Sequence, residues 1–241
     1  MKKVWQIVWK HLEVHNLMRK FLYIYILLYS SFCFSQTVYL TEAKSIGNNK
    51  DKFLYALQKE PDSTVAHYLG KIEVSGFSNN DVAVFGEIYK KAKSVSANCY
   101  YLKLLESIDG KTQFNPNHYT LYIYDADASK IQKNENTVYL INPNKDVDVR
   151  INDKKVKLLT RSYIKVDLSN NDITDVSVGK FLGSRIKLQG KEGQQEQYFQ
   201  IFGKKVSANS PSNPGINFKT GDIVGLEKSF ANFLITIYKE N

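Results

Sequence analysis

The chain has 241 residues, of which 43% are hydrophobic and 24% are charged, and its formal net charge is +9. This hydrophobic content excludes an intrinsically disordered chain, and two cysteines are too few for a disulfide-rich scaffold. The length is sufficient for one or two domains, each with its own apolar core.

The first predicted element is an export signal. Met18-Arg19-Lys20 provides a positive start, residues 21–34 form an uncharged and mostly apolar run, and a small residue, Ser35, ends the segment. The run is shorter than the roughly 20 residues that a membrane-spanning helix needs, so residues 1–35 are predicted to be a cleaved signal peptide. The true start is either Met1 or Met18. A lipoprotein acylated at Cys33 is the alternative, although Phe32 stands where that class has a small residue.

Cleavage after Ser35 changes the charge and the cysteine content. The remaining chain keeps 28 Lys and Arg against 23 Asp and Glu, a net charge of about +5 with the two signs interspersed. This pattern favours solubility and does not favour nucleic-acid binding. Cys99 is then the single cysteine, and its apolar neighbours predict a buried position. No transmembrane anchor is expected after cleavage, and the predicted location is the periplasm, the cell surface or the medium.

Residues 36–107 are predicted to form a small α/β module. Phe53, Leu54 and Leu57 recur at helical spacing, which indicates a helix over 47–60. Residues 68–77 alternate as a strand does, and Ser78 begins a capping pattern before a second helix. A further strand is expected over 99–104.

The segment 69–104 resembles small α/β envelope modules. The runs that carry the resemblance are Leu69-Gly70-Lys71-Ile72-Glu73, Lys90-Lys91-Ala92-Lys93 and Ala97-Asn98-Cys99-Tyr100. They are similar to the Rcs stress-sensor lipoproteins and the YbjQ-like domains, which place a helix before a similar turn and strand. The resemblance implies the same topology, and it makes envelope stress sensing one possible function.

Residues 118–241 are predicted to form a second domain, an antiparallel β-sandwich with a C-terminal segment packed on it. Residues 119–124 alternate, and seven further strands are expected over 136–141, 146–151, 155–159, 162–168, 173–178, 184–189 and 196–202. Many short strands separated by turn residues are typical of a sandwich. Residues 149–156 and 163–168 resemble the PEGA-type β-sandwich domains of bacterial surface proteins, and that resemblance covers 118–203. The whole chain is thus predicted to be α+β.

The end of the sequence has two interpretations. Residues 206–221 are rich in Ser, Asn, Pro and Gly, which predicts a flexible surface loop. After it, Phe230, Phe233, Leu234 and Ile237 fit an amphipathic helix, but residues 233–238 fit a strand equally well.

Candidate catalytic residues are few. Asp125 and Asp127 would project from the same face of a strand and could divide acid and base roles. A strand end with a turn capped by Asp127 is the simpler interpretation. His67 and His118 are far apart in sequence and stand in no metal or triad motif, so no metal site and no cofactor are predicted.

The tyrosines provide a candidate binding site. Tyr119, Tyr122, Tyr124 and Tyr139 could form a platform that stacks a sugar or cell-wall fragment, although aromatic residues also favour strands for packing alone. The sequence therefore favours a non-enzymatic envelope protein that binds or scaffolds a partner, either an envelope protein or a glycan. The alternative is an envelope hydrolase or glycan-acting enzyme that uses the paired aspartates.

Overall fold

The structure, a computed structural model, describes residue 23 and residues 36–104, 113–131, 134–180, 182–208 and 216–241. Of the predicted signal peptide, residues 1–35, only Tyr23 is therefore described. Between residues 36 and 241 the described chain forms three sheets, a two-stranded hairpin and two helices. The predicted α+β class is confirmed.

Sheet A contains five strands in the order β1, β3, β5, β4, β2. The strands are β1 (Thr37–Ala43), β2 (Tyr55–Leu57), β3 (Ala66–Ser75), β4 (Cys99–Lys103) and β5 (His118–Ala126). Neighbours are antiparallel except for β2 and β4, which run parallel. Strand β5, which the sequence pattern assigns to the second domain, therefore pairs with strands of the first, while the division into two domains stays a prediction.

Helix α1 (Asp81–Ser94) follows β3 and packs on one face of sheet A. The helix starts where it is predicted, but the cap is Asn80, whose side-chain oxygen accepts a hydrogen bond from Ala83 N–H at 3.1 Å. Val82, near the start of the helix, is exposed. The buried face of the helix consists of Val84, Ile88 and Ala92.

Sheets B and C contain the strands of the second half of the chain. Sheet B has the order β15, β12, β6, β9, β16, with β6 (Thr137–Asn142), β9 (Ser162–Asp167), β12 (Gln197–Phe202), β15 (Asp222–Gly225) and β16 (Lys239–Glu240). Sheet C has the order β11, β10, β7, β8, with β7 (Val147–Ile151), β8 (Lys154–Leu158), β10 (Thr174–Val178) and β11 (Ser184–Leu188). The seven strands predicted between 136 and 202 are confirmed to within one residue at each end.

The strand directions depart from the predicted antiparallel sandwich. Sheet C is antiparallel, but β6 pairs with β12 in parallel and β9 pairs with β16 in parallel. The cause is that β12 and β16 arrive by long connections and not by hairpins. Sheet B is consequently mixed, and the sheets do not form a clear antiparallel sandwich.

Of the two interpretations of the C-terminal segment, helix or strand, the structure shows the helix. Helix α2 (Lys228–Ile237) begins at Glu227, whose carboxylate accepts hydrogen bonds from the N–H groups of Ser229 and Phe230. The predicted loop 206–221 is partly strand, since β13 (Lys205–Ala208) pairs with β14 (Ile216–Lys219). Residues 209–215 of that loop lie outside the described residues.

Two apolar cores stack on opposite faces of sheet B. The first core lies between sheet A, both helices and one face of sheet B, and includes Leu54, Ile72, Leu121, Ile141, Phe233 and Leu234. The second core lies between sheets B and C, and includes Val138, Leu140, Val149, Leu158, Val176 and Ile201. Strand β6 contributes to both cores, because its side chains alternate between the two faces of the sheet.

The predicted helix over 47–60 is wrong. This segment runs without regular structure as far as residue 54 and then enters β2. Asn49 Oδ1 accepts the N–H of Asp51 at 2.7 Å, and Asp51 Oδ1 accepts the N–H of Phe53 at 2.9 Å. Lys93 Nζ donates to the carbonyls of Asp51 and Phe53 at 2.7 Å each. These side-chain hydrogen bonds replace those of a helix.

A charged cluster joins the two halves of the fold. Arg161 Nη1 donates to both carboxylate oxygens of Asp81, at 3.1 and 2.8 Å. Tyr238 donates its hydroxyl to Asp81 Oδ2 at 2.5 Å, and its ring centroid lies 4.7 Å from the Arg161 guanidinium carbon. Asp81 begins helix α1, Arg161 precedes β9, and Tyr238 follows helix α2. The Asp81 side chain is only 11% exposed, and these two partners provide its hydrogen bonds and its counter-ion.

We expect Asp81→Asn to lower the free energy of unfolding by about 2–3 kcal/mol, because the partly buried guanidinium would lose its counter-ion. Urea denaturation followed by circular dichroism measures this change. The matched control is Asp148→Asn, which breaks the surface pair with Lys155 (2.9 Å, side chains 63% and 55% exposed) and should change stability by less than about 1 kcal/mol. Equal effects of the two variants would contradict the role of the cluster.

Cys99 lies where its sequence context predicts. The side chain is fully buried on β4, on the face of sheet A opposite helix α1, beside Tyr55 and Tyr124. Burial, with a smaller contribution from the charge of Asp125, raises the pKa of the thiol from 9.0 to about 12. The thiol therefore stays protonated and unreactive in the folded protein well above neutral pH.

We expect the folded chain beginning at Gln36 to resist a maleimide reagent, and its labelling rate to stay low as pH rises past 9.0, the ordinary pKa of a thiol. The sign follows from the raised pKa, since the folded thiol remains neutral until pH approaches 12 whereas the unfolded thiol ionises near 9. Mass spectrometry of labelled protein gives the rate. Ser63→Cys supplies an exposed thiol as control, and equal labelling of both thiols in the native protein would refute a buried Cys99.

Candidate functional site

A cleft of about 910 Å³ lies beside strand β2. One wall is formed by β2 and β4 of sheet A, and the other by sheet B together with helix α2. Exposed charges of both signs, including Lys59, Glu60 and Asp62, lie at its margin. Its size and its mixture of apolar and polar side chains are typical of a ligand-binding cleft.

Tyrosines dominate the wall formed by sheet B. Tyr139 and Tyr198 occupy paired positions on β6 and β12, and their rings stack with centroids 5.3 Å apart and planes inclined by 12°. Tyr163 of β9 meets Tyr139 edge to face at 5.9 Å. Because Tyr139 and Tyr198 are each only 6% exposed, they present edges and hydroxyl groups to the cleft and not free ring faces.

Amide side chains fix the hydroxyl ends of these rings. Asn134 Nδ2 donates to the hydroxyl oxygen of Tyr139 at 2.9 Å, and the Tyr198 hydroxyl donates to Asn232 Oδ1 at 3.4 Å. Burial raises the pKa of Tyr139 and of Tyr198 above their ordinary range, so both phenols stay neutral. This wall therefore offers hydrogen-bonding groups without ionised phenols.

A largely buried ion pair lies at the cleft beside the tyrosines. Glu196 lines the cleft and accepts a contact from Lys228 Nζ at 3.3 Å, with side chains 8% and 16% exposed. The second Glu196 oxygen accepts the N–H of Asn134 at 2.8 Å, and Lys228 Nζ lies 5.6 Å from the centroid of the Tyr55 ring. Because the two charges neutralise each other, this part of the cleft favours polar ligands over strongly ionic ones.

The structure brings only part of the predicted tyrosine platform together. Tyr139 lines the cleft, whereas Tyr119 is 3% exposed in the first core. Tyr122 and Tyr124 lie on the opposite face of sheet A from Tyr119, where both contact Tyr68 at centroid distances of 5.8 and 5.5 Å. The four residues therefore do not form one surface, and their binding role stays a prediction.

Both paired aspartates already accept hydrogen bonds from other residues of the chain. Asp125 accepts from the Asn48 N–H at 3.1 Å and from Asn49 Nδ2 at 3.0 Å. Asp127 accepts the N–H and hydroxyl of Ser129 at 3.0 and 2.7 Å, and these bonds lower its pKa. A general acid at neutral pH needs a raised pKa, which is the opposite direction. Asp127 thus has the turn-capping geometry of the simpler sequence interpretation.

The histidines and other potential ligands show no metal geometry. In the part of the chain that the structure describes, no group of three or more His, Cys, Asp or Glu side chains could hold a metal ion. His67 contacts Ser45 at 3.0 Å, and His118 contacts Glu73 at 2.8 Å, both at exposed positions. No helix among the described residues is both long enough and apolar enough to cross a bilayer.

Most cleft residues could not be singled out from the sequence. Glu196, Lys228, Asn134 and Asn232 come from three separate segments and belong to no motif. The spacing of Tyr198 and Tyr139 also gives no signal, because their pairing depends on the parallel contact of β6 with β12. The aromatic enrichment of the strands was one signal that pointed toward this wall.

Comparison with known proteins adds no relative. No protein-family model matches the chain, and no curated protein or solved structure is significantly similar to it. The resemblances to stress-sensor modules and PEGA-type domains therefore stay predictions.

Proposed function

We propose that the protein is an exported, non-enzymatic cell-envelope protein that binds a partner, either an envelope protein or a glycan, in the cleft beside β2. The observation that carries the proposal is the cleft itself, which combines tyrosine edges, two amide side chains and the largely buried Glu196–Lys228 pair. Tyrosine supplies contact area at little entropic cost and adds a polar group, which suits recognition.

The state of the carboxylates favours binding over turnover. Asp125 on strand β5 accepts hydrogen bonds from Asn48 and Asn49, and Asp127 caps a turn. Glu196 of the cleft is paired with Lys228 and bonded to a backbone N–H. A catalytic pair needs two titratable groups whose environments move their pKa values apart while both face the substrate. These contacts support a recognition role for the cleft.

The second half of the chain supports a finer proposal about architecture. Sheets B and C share the second core, and the turn at Asn152 and Asp153 has positive φ values of 47° and 65°, as a two-residue hairpin requires. We propose that this pair of sheets is a modified β-sandwich related in design to PEGA-type surface domains. On this view it serves as the scaffold for the tyrosine wall.

Export predicts a defined N-terminus. When the full chain is expressed in a bacterial host, mass spectrometry of the envelope or secreted fraction should find the protein beginning at Gln36, partly cyclised to pyroglutamate. Strand β1 begins at Thr37, so such cleavage would leave every described strand intact. Recovery of folded protein with peptides containing Trp5 or Phe21 still attached would overturn the proposal of export.

If the cleft is the binding site, substituting a tyrosine that lines it should weaken binding, whereas substituting a tyrosine elsewhere should not. Tyr163→Ala should weaken retention of a partner by about tenfold to a hundredfold, because buried tyrosine contacts in interfaces contribute on the order of 1–3 kcal/mol. The protein is incubated with solubilised envelope extract and with a digest of cell-wall fragments, and retained molecules are quantified by mass spectrometry. Tyr39→Ala, on the opposite edge of sheet A and 55% exposed, is the control that should bind normally. Equal retention by both variants would place the site elsewhere.

A further inference from the structure

We propose that the partner binds as an extended peptide, which pairs with the free edge of β2 and becomes a sixth strand of sheet A. This inference rests on the proposed function, since it names the class of molecule that the same cleft takes. It is carried by the backbone geometry of β2, by the shape of the cleft around that strand and by the positions of the tyrosine rings.

The strand order and the hydrogen bonds of β2 leave one edge open. Among the residues that the structure describes, β2 is the last strand of sheet A and pairs with β4 alone. The N–H of Tyr55 donates to the carbonyl of Asn98 at 2.8 Å. In a strand, the N–H and carbonyl of one residue point to the same side within the sheet, and those of the next residue point to the other side. Since Tyr55 faces β4, the N–H and carbonyl of Ala56 point away from β4. Ala56 therefore offers one donor and one acceptor at the edge.

Leu54, two positions before Ala56, shows which element lies next to this edge of β2. Leu54 N–H points to the same side as Ala56 N–H, and it donates to the Ser229 hydroxyl at the start of helix α2 at 3.1 Å. One turn of helix thus satisfies the edge at Leu54. For Ala56 N–H, the described residues provide no hydrogen-bond acceptor outside the pairing of β2 with β4. Ala56 itself lines the cleft.

The cleft passes around this edge from one face of sheet A to the other. Tyr101 and Leu102 are neighbours on β4, so their side chains point to opposite faces, and both line the cleft. Tyr101 belongs to the cluster around Cys99, whereas Leu102 packs against the first core. An added strand sends alternate side chains to the two faces of a sheet, and the cleft has space on both faces.

The rings of the opposite wall fit a peptide better than a sugar. A sugar stacks on an exposed ring face, but Tyr139 and Tyr198 cover each other's faces at 5.3 Å. Their edges, which line the cleft, offer apolar surface to a peptide side chain. The margin of the cleft carries charges of both signs, and Glu60 is already paired with Lys103 at 3.1 Å. The margin therefore does not select a ligand of one charge, and the N–H and carbonyl of Ala56 supply the polar complementarity to a peptide backbone. A peptide of mixed composition is therefore the occupant that the site favours.

A proline at position 56 tests the pairing directly. Ala56→Pro removes the edge-facing N–H, leaves the hydrogen bond from Tyr55 to Asn98 in place, and is a substitution that edge strands tolerate. Ala56→Val keeps the N–H and is the matched control. The probe is a ten-residue random peptide library displayed on phage and selected on the chain beginning at Gln36, and the affinities of selected peptides are measured by fluorescence anisotropy.

We expect selected peptides to lose about tenfold or more in affinity for Ala56→Pro and to lose clearly less for Ala56→Val, which keeps the edge-facing N–H. Hydrogen exchange at the Ala56 amide should slow on peptide binding. If Ala56→Pro fails to fold, the same test uses peptides methylated at alternate backbone nitrogens. One of the two methylation registers should abolish binding, and the other should leave it intact.

The outcomes separate this inference from the proposed function. Equal peptide affinity for the parent and Ala56→Pro, or no protection of the Ala56 amide, would overturn strand pairing. Failure to select any peptide, together with retention of a cell-wall fragment that Tyr163→Ala abolishes, would overturn the peptide and keep the binding function. Absence of both peptide and envelope ligand in the parent protein would overturn both proposals.

Discussion

The burial of strand β6 on both faces is the constraint on which the arrangement of the sheets depends. All six of its residues are buried, with Tyr139 and Ile141 facing the first core and Val138 and Leu140 facing the second. Each core therefore uses the same strand as one of its walls, and neither can lose β6 without exposing apolar surface. Because β6 is fixed from both sides, Tyr139 is held rigidly where it meets the cleft.

Buried polar groups then position the strands that border the cleft. Asn98 donates through Nδ2 to the carbonyl of Ala126 at 2.7 Å and accepts the Ala126 N–H at 2.9 Å. Its own carbonyl accepts the N–H of Tyr55. One fully buried asparagine therefore aligns the start of β2, the start of β4 and the end of β5. Satisfying every polar atom of this side chain offsets the cost of burying it and defines where the edge of sheet A lies.

Local patterns predicted the elements well where neighbouring residues determine them. The turns at Asn152 and at Ser169 to Asp172 have sequences that favour reversal, and the strands on either side were placed within one residue. The failure at 47–60 has a different cause. Phe53, Leu54 and Leu57 have helical spacing, but Lys93 and Asp125 bind this segment from distant positions, and such contacts override local preference.

The cleft could not be predicted because it depends on which strands meet. Alternation assigned Tyr119 and Tyr122 to strand β5 and to opposite faces of it, but it could not show that β5 lies in sheet A. The continuous apolar run Val138-Tyr139-Leu140-Ile141 was the overlooked signal, since a strand without polar alternation is typically buried on both faces. Glu196 and Lys228 meet only after β12 and α2 have packed.

The order in which the chain is synthesised interacts with this topology. The N–H of Leu54 donates to the hydroxyl of Ser229, which is synthesised 175 residues later. Phe233 and Tyr238 likewise complete the core that surrounds helix α1. The N-terminal half would therefore emerge from the ribosome with its apolar face uncovered. Long-range contacts of the kind that cover this face form slowly. A chaperone that shields nascent segments would have to cover residues 54–104 for the longest time, because these residues reach their packed state only after α2 has been translated.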